Sequence, residues 1–68
     1  MVSYAPLWKT MKEKGVTTYT LIEKHNIPSK TVYNLKHNNN ISTTTLERLC
    51  NILGCTPNDI LTFTEELN

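Results

Sequence analysis

The stretch TTYTLIEKHNIPSKTVYNLKH, residues 17–37, constrains the fold of this chain more than any other part. Near its middle, Asn26 tolerates the left-handed conformation that closes a helix. Pro28 lacks the N–H that a first helical turn leaves unpaired, and Ile27 between them would fix the turn to an apolar core. We therefore predict two short helices joined by a tight turn, which is a helix-turn-helix unit. The predicted helices cover residues 18–25 and 29–37.

The second of these helices has two unlike faces. At about 100° per residue, Val32 and Leu35 lie on one side. The opposite side carries hydrogen-bonding groups, from Lys30, Tyr33, Asn34 and His37. The pattern predicts a helix that packs by one face and presents the other to a ligand. A helix of about nine residues spans about 13 Å, comparable with the width of the DNA major groove, about 12 Å.

Apolar residues recur at helical spacing in two further stretches. The first is Tyr4, Leu7, Trp8 and Met11, which predicts a helix over about residues 5–14 that ends before Gly15. Trp8 is interpreted as a core residue, with a role in stacking as the alternative. The second stretch is Leu46, Leu49, Cys50 and Leu53, which predicts a helix after the N-cap Ser42 that ends at Gly54.

The run Thr56-Pro57-Asn58-Asp59 is a further helix start signal. It predicts a short fifth helix that contains Ile60, Leu61 and Phe63, followed by a frayed tail from Glu65. No segment is predicted as a strand. The sequence thus predicts a compact all-α domain of five helices over residues 1–68, with an ordered core over about 4–63.

Charge is divided unevenly between the two halves of the 68-residue chain, although its net charge is only +1. Residues 1–36 hold six lysines and two glutamates, while residues 37–68 hold one arginine and four acidic residues. This division favours one face that attracts a polyanion. Ordinary solvated lysines are the alternative interpretation.

Other classes of function find little support in the sequence. Cys50 and Cys55 do not have the spacing of a CxxC pair, and we interpret them as small core residues rather than functional thiols. No zinc-ligand spacing, paired carboxylates or Gly-rich phosphate loop is present. We therefore expect no enzymatic activity, no metal and no cofactor. The sequence shows neither a signal peptide nor an apolar run of membrane-spanning length, so we expect a cytoplasmic protein that does not bind membranes.

The spacing of these features resembles the lambda-repressor/Cro-like, or XRE-type, helix-turn-helix family over about residues 4–63. The resemblance rests on four groups of residues: Leu7, Met11 and Gly15-Val16-Thr17; Leu21; Ile27 through Leu35; and Leu46, Leu49, Leu53 and Gly54. The close of the chain, CNILGCTPNDIL, is similar to small stand-alone bacterial and phage regulators of this family. His25 occupies a slot that is usually apolar in the family, and we expect it to be partly buried and structural.

The resemblance implies a lambda-repressor-like fold and sequence-specific binding to double-stranded DNA, usually by a homodimer on an inverted repeat. It implies base contacts from Ser29, Lys30 and Asn34, with Tyr33 beside them. Phosphate contacts are expected from the start of the predicted helix over residues 18–25 and from the region at and after the end of the one over 29–37. These residues are Thr17, Thr18, Lys36, His37, Asn38, Asn39, Asn40 and Thr43. For Thr18, a second-choice capping role is the alternative.

The residue types at these positions suit DNA. Lys30 can donate to guanine O6 or N7, and Asn34 can pair with adenine N6 and N7. We expect a transcriptional regulator, a repressor at the bacterial nucleoid, whose dimer interface comes from helix 5 and the C-terminal tail. The alternatives are a protein-interaction module or an antitoxin that uses the same scaffold and binds DNA weakly.

Overall fold

The computed structural model describes residues 1–64, so the predicted tail from Glu65 lies outside the described residues. Two short strands flank four α-helices. In chain order the elements are β1 (Val2–Ser3), α1 (Ala5–Lys14), α2 (Thr18–His25), α3 (Ser29–Lys36), α4 (Thr43–Leu53), a 3-10 turn at Pro57–Asp59 and β2 (Thr62–Phe63). The helix-turn-helix unit is formed by α2 and α3, as predicted, and α3 ends at Lys36, one residue earlier than expected.

The ends of the helices follow from local chemistry. The hydroxyl of Thr17 accepts the N–H of Thr20 at 3.1 Å, and the hydroxyl of Ser42 accepts the N–H of Thr45 at the same distance. Each cap satisfies one of the N–H groups that a first helical turn leaves unpaired. Asn26 closes α2 in the left-handed region, with φ 55°. This conformation confirms the prediction that Asn26 ends the helix.

The two predicted apolar stripes meet in one core. Its buried members are Tyr4, Leu7, Met11, Leu21, Ile27, Val32, Leu35, Leu49, Leu53 and Ile60. Ile27 is 1% exposed, which confirms that it fixes the helix-turn-helix turn to the core. Trp8 is half-buried and packs against this cluster, as do Cys50 and Cys55. None of the helices in residues 1–64 combines the length and the apolar character that a membrane span requires.

The prediction of a fifth helix and of a fold without strands was wrong. After the 3-10 turn, Ile60 enters the core, and Thr62 and Phe63 form β2. This strand pairs antiparallel with β1, with Val2 opposite Phe63. A helix of one turn is poorly stabilised by its own hydrogen bonds, whereas Thr and Phe favour the extended chain. Thr56 does begin a helical turn, as its start signal predicted. That turn is a 3-10 turn, and it is followed by a strand paired with β1 instead of by an α-helix.

Tyr4 links this N-terminal segment to the loop after α3. Its side chain is 1% exposed, and its Oη donates to the backbone carbonyl of Asn39 at 2.6 Å. Its backbone N–H donates to Oδ1 of Asn38 at 3.0 Å. Burial raises the pKa of the Tyr4 phenol above its ordinary value of 10.0, an effect that the backbone of Ile41 partly opposes. Two hydrogen bonds from one residue thus connect segments 34 and 35 positions apart.

We predict that Tyr4→Phe lowers the free energy of unfolding at pH 7 by about 1–2 kcal/mol, because the carbonyl of Asn39 loses its donor. Urea denaturation measures this change. Tyr19→Phe is the matched control, since Tyr19 is 69% exposed. Equal effects of the two substitutions would contradict the role given to the Tyr4 hydroxyl.

The free energies of unfolding of the unsubstituted protein and of Tyr4→Phe should also depend differently on pH in alkaline solution. The folded state holds the Tyr4 proton above the pH at which the unfolded chain releases it. The free energy of unfolding therefore falls as pH rises from about 10 through the folded pKa. The stability advantage of the unsubstituted chain over Tyr4→Phe should be complete below pH 10 and shrink above it. An advantage that does not change with pH would contradict this linkage.

Candidate nucleic-acid interface

The face of α3 opposite the core is exposed and polar. Val32 is 5% exposed and Leu35 is fully buried, so these two residues fix the rotation of the helix. The other face presents the side chains that the sequence predicted as DNA contacts: Ser29, Lys30, Tyr33 and Lys36 are exposed, and Asn34 is half-buried. The structure thus brings the four predicted base-contacting residues to one helix. All four remain accessible to a ligand in the groove of a duplex.

An aromatic pair lies at the C-terminal end of this face. The rings of Tyr33 and His37 are 4.2 Å apart between centroids and tilted by 38°. Tyr33 is 57% exposed despite this contact. Residues four apart on a helix are neighbours, so the pair restricts the rotamers of both side chains. Tyr33 therefore presents a defined apolar edge and a hydroxyl beside Asn34.

The three asparagines after α3 have different environments. Asn38 adopts the left-handed conformation with φ 55°, and its side-chain oxygen accepts the N–H of Tyr4. Asn39 donates its backbone N–H to the carbonyl of Asn34 at 2.8 Å and its Nδ2 to Oδ1 of Asn34 at 3.3 Å. Asn40 is exposed and lines an apolar groove described below. The three predicted phosphate contacts are therefore not chemically equivalent.

The two neighbouring threonines at the start of α2 also have different environments. Thr17 is the N-cap, and its hydroxyl also lies 3.0 Å from the hydroxyl of Thr20. Thr18 is the first helical residue and is half-buried. Backbone N–H groups at a helix start, together with the helix dipole, favour a phosphate. Thr17 thus has a structural task as the N-cap of α2, and Thr18 lies where a phosphate contact was expected.

Arg48 was not singled out by the sequence. Its guanidinium donates to the backbone carbonyl of His25 at 2.7 Å, at the last residue of α2. A cation at the C-terminal end of a helix complements the partial negative charge there. Arg48 thereby connects α4 to the helix-turn-helix turn, while His25 is half-buried as expected. No pattern in the sequence around Arg48 indicates this contact, because its acceptor is a backbone atom 23 residues away.

Charged side chains are unevenly distributed over the elements. Glu23 and Lys24 are both exposed on α2, whereas α3 carries exposed Lys30 and Lys36 and no acidic residue. Glu47 is exposed on α4, and Asp59 lies in the 3-10 turn, where its carboxylate accepts the N–H of Thr56 at 3.3 Å. The helix-turn-helix unit thus carries three lysines and one glutamate, the same numbers as α1, and among the four α-helices only α3 has basic residues without an acidic one. This distribution suits a polyanion that approaches α3.

The remaining reactive side chains lie apart from this face. In Cys55 the pKa of the thiol is raised, first by burial and then by the neighbouring Cys50 thiol and the Asp59 carboxylate. The N–H of Cys55 donates to the carbonyl of Cys50 at 3.0 Å, across the end of α4. Within residues 1–64, His, Cys, Asp and Glu form no group of three or more that could hold a metal ion.

Comparisons with known proteins agree with this geometry. Residues 6–66 match the family of Cro/C1-type helix-turn-helix DNA-binding domains. The crystal structure of the transcriptional regulator VanUg is similar, with a TM-score of 0.87 and 32% sequence identity, over 96% of this chain and 87% of that one. A comparison with curated proteins found no match. The chain therefore belongs to the Cro/C1-type helix-turn-helix DNA-binding domain family.

Proposed function

We propose that this protein is a sequence-specific regulator of transcription that inserts α3 into the major groove of double-stranded DNA. The observation that carries the proposal is the exposed polar face of α3, which is held outward by the burial of Val32 and Leu35. A helix of this size fits the major groove. The structural similarity to a protein described as a transcriptional regulator supports the same function.

Base recognition is assigned to Ser29, Lys30, Tyr33 and Asn34. Asn34 can donate to a purine N7 and accept from adenine N6, a bidentate contact worth about 1–3 kcal/mol of discrimination. Lys30 contributes a charged donor with less directional preference. Tyr33 lies beside Asn34 and offers its ring to a thymine methyl or its hydroxyl to the sugar-phosphate backbone.

Phosphate contacts are assigned to the start of α2 and to the segment at and after the end of α3. Thr18 lies at the start of α2, and Lys36 and His37 lie at the end of α3. Asn40 and Thr43 follow in the next loop and helix start. Thr17 and Asn38 already accept backbone N–H groups. Their contribution would therefore come from their donor groups, the Thr17 hydroxyl proton and the Asn38 Nδ2.

Repression is the regulatory direction we propose, because occupying an operator is enough to exclude a polymerase and requires no further activity. The proposed place of action is the bacterial cytoplasm, at the nucleoid.

The second candidate function is that of a protein-interaction module or an antitoxin that binds DNA weakly. An apolar groove on the other side of the loop after α3 favours that candidate, since an unfilled groove suits a protein partner.

Selection of bound duplexes from a random DNA pool, at low and moderate salt, tests the proposed function. An enriched sequence is the expected result. Binding to it should weaken steeply with salt, because each neutralised phosphate releases counterions. Recovery without enrichment, or no recovery at moderate salt, would contradict sequence-specific regulation and favour the second candidate.

On the selected duplex, Asn34→Ala and Lys36→Ala should have different effects. Asn34→Ala should relax the preference at one base pair, with little change in the salt slope. Lys36→Ala should weaken binding to all sequences and lower the salt slope by about one. Lys9→Ala is the control, because Lys9 lies on α1 in a shallow groove with Glu13 and Asp59. Equal losses on every sequence from the two test substitutions would contradict this division of roles.

Substitutions of the two threonines at the start of α2 should also have different effects. Thr17→Ala should lower the free energy of unfolding by about 1 kcal/mol, because the N–H of Thr20 loses its cap. Thr18→Ala should leave stability within about 0.5 kcal/mol, since the cap of α2 is Thr17 and not Thr18, and it should weaken binding to all duplexes. Urea denaturation and duplex titration measure the two effects. A Thr18→Ala variant with unchanged affinity would remove Thr18 from the phosphate contacts.

We also propose that the protein binds DNA as a homodimer. The apolar groove has a volume of about 530 Å³, and its apolar lining includes Val2, Leu46, Leu61 and Phe63. Phe63 is 77% exposed. Asn40 and Thr43 also line it, so the groove borders the loop that follows α3. We propose that a second copy occupies this groove; two half-sites about one helical turn apart require the two α3 helices to lie on the same side of such a dimer.

The groove replaces helix 5 as the proposed interface, because that segment is a 3-10 turn and a strand. Burying one Phe contributes about 1.5–3 kcal/mol, so Phe63→Asp should weaken the dimer at least about 10-fold. Sedimentation velocity over a concentration series measures this. Tyr19→Asp is the control, an exposed aromatic on α2. If the unsubstituted chain sediments only as a monomer at the concentrations at which it binds DNA, the proposed dimer is contradicted.

A further inference from the structure

We propose that Asn39 is a positioning residue that sets which end of the Asn34 side-chain amide faces a base. The inference deepens the proposed function and rests on it, because it concerns how α3 reads DNA. The resemblance to known regulators implied a phosphate contact for Asn39. The hydrogen bonds around it support a different task.

The backbone of Asn39 is held from two directions. Its N–H donates to the carbonyl of Asn34 at 2.8 Å. Its carbonyl accepts the hydroxyl of Tyr4 at 2.6 Å, and the Tyr4 side chain is 1% exposed. A short hydrogen bond from a buried donor is costly to break. The position of Asn39 relative to the last turn of α3 is therefore fixed before any ligand arrives.

From this fixed position the Asn39 side chain reaches Asn34. Its Nδ2 donates to Oδ1 of Asn34 at 3.3 Å. The amide of Asn34 has one end that only accepts and one end that only donates. Because the accepting end is bound by Asn39, the donating Nδ2 is left for another acceptor. The second lone pair of Oδ1 also stays available, so a bidentate contact with adenine remains possible.

This arrangement selects one of two orientations of the Asn34 amide. Without Asn39, a half-turn about the last side-chain bond would exchange Oδ1 and Nδ2 at little cost. Asn34 could then meet an acceptor such as purine N7 or a donor such as cytosine N4 equally well. With the Asn39 amide oriented as in the structure, its Nδ2 toward Oδ1 of Asn34, Nδ2 of Asn34 is presented and acceptors on the base edge are favoured. Preorganisation of this kind favours the matched base by removing an ordering cost from binding.

Substitutions of Asn39 separate this role from a phosphate contact. Asn39→Ala keeps both backbone hydrogen bonds and removes only the side-chain donor. It should reduce the base preference at the position read by Asn34 by about 2- to 10-fold, the range for one neutral hydrogen bond. Asn39→Asp replaces the donor by an acceptor. It should turn Nδ2 of Asn34 inward, present Oδ1 to the DNA and shift the preference toward bases that offer an amino group.

Asn40→Asp is the matched control for charge. It adds the same negative charge one residue further along the same exposed loop. Both aspartates should lower overall affinity through repulsion by the phosphates. Only Asn39→Asp should change which base is preferred at the Asn34 position. Base preference, rather than affinity, is therefore the quantity that distinguishes the two.

The experiment measures competition among the four base pairs at each position of the selected duplex. It compares the unsubstituted protein, Asn39→Ala, Asn39→Asp, Asn40→Asp, Asn34→Ala and the double variant Asn34→Ala/Asn39→Ala. The effect of Asn39→Ala on base preference should disappear when Asn34 is already Ala, because Asn39 acts through Asn34. In the free protein, the side-chain amide resonances of Asn34 should shift in Asn39→Ala and not in Asn40→Asp.

The outcomes separate the positioning role from the proposed function. Base preference that depends on Asn34 but not on Asn39 would overturn the positioning role and leave sequence-specific binding intact. A uniform loss of affinity in Asn39→Ala, with an unchanged salt slope because an amide carries no charge, would assign Asn39 to a phosphate instead. No base preference in the unsubstituted protein would overturn the proposed function. In that case shifted Asn34 resonances would still report the hydrogen bond by itself.

Discussion

The path of the loop after α3 depends on one hydrogen bond, which the hydroxyl of Tyr4 donates. This hydroxyl is buried beneath the loop and donates to the carbonyl of Asn39 at 2.6 Å. The same residue contributes its backbone N–H to Asn38 and its ring to the core. A buried polar group is stable only when it is paired, so this bond also fixes the path of the loop. The path of the loop that leaves α3 therefore depends on a residue that precedes α1.

Much of the helix-turn-helix unit could be predicted from the sequence because its determinants are local. Thr17 and Ser42 cap the helices that follow them, and Asn26 closes α2 in the left-handed region. Each of these effects involves residues within about four positions of one another, a separation that a sequence pattern records directly. The burial of Val32 and Leu35 follows from helical periodicity in the same way. These elements place the predicted base-contacting residues on one exposed face.

The parts that sequence reasoning missed are all non-local. The pairing of β1 with β2 joins Val2 to Phe63, and nothing in either dipeptide specifies the other. Arg48 reaches a backbone carbonyl, an acceptor that every residue possesses and that no pattern can identify. The three consecutive asparagines appear equivalent in the sequence, because the contacts that distinguish them are made with Tyr4 and Asn34 in the folded structure. A sequence pattern does not record these contacts.

A net charge of +1 is compatible with DNA binding because position matters more than the sum. Exposed charges more than about 8–10 Å apart are largely screened at physiological ionic strength, so a phosphate responds to the lysines nearest it. Lys30 and Lys36 lie on α3, which has no acidic residue, whereas each of the other three α-helices carries a glutamate. With a weak overall field, the proposed discrimination between sequences would depend more on the orientation of polar groups such as the Asn34 amide.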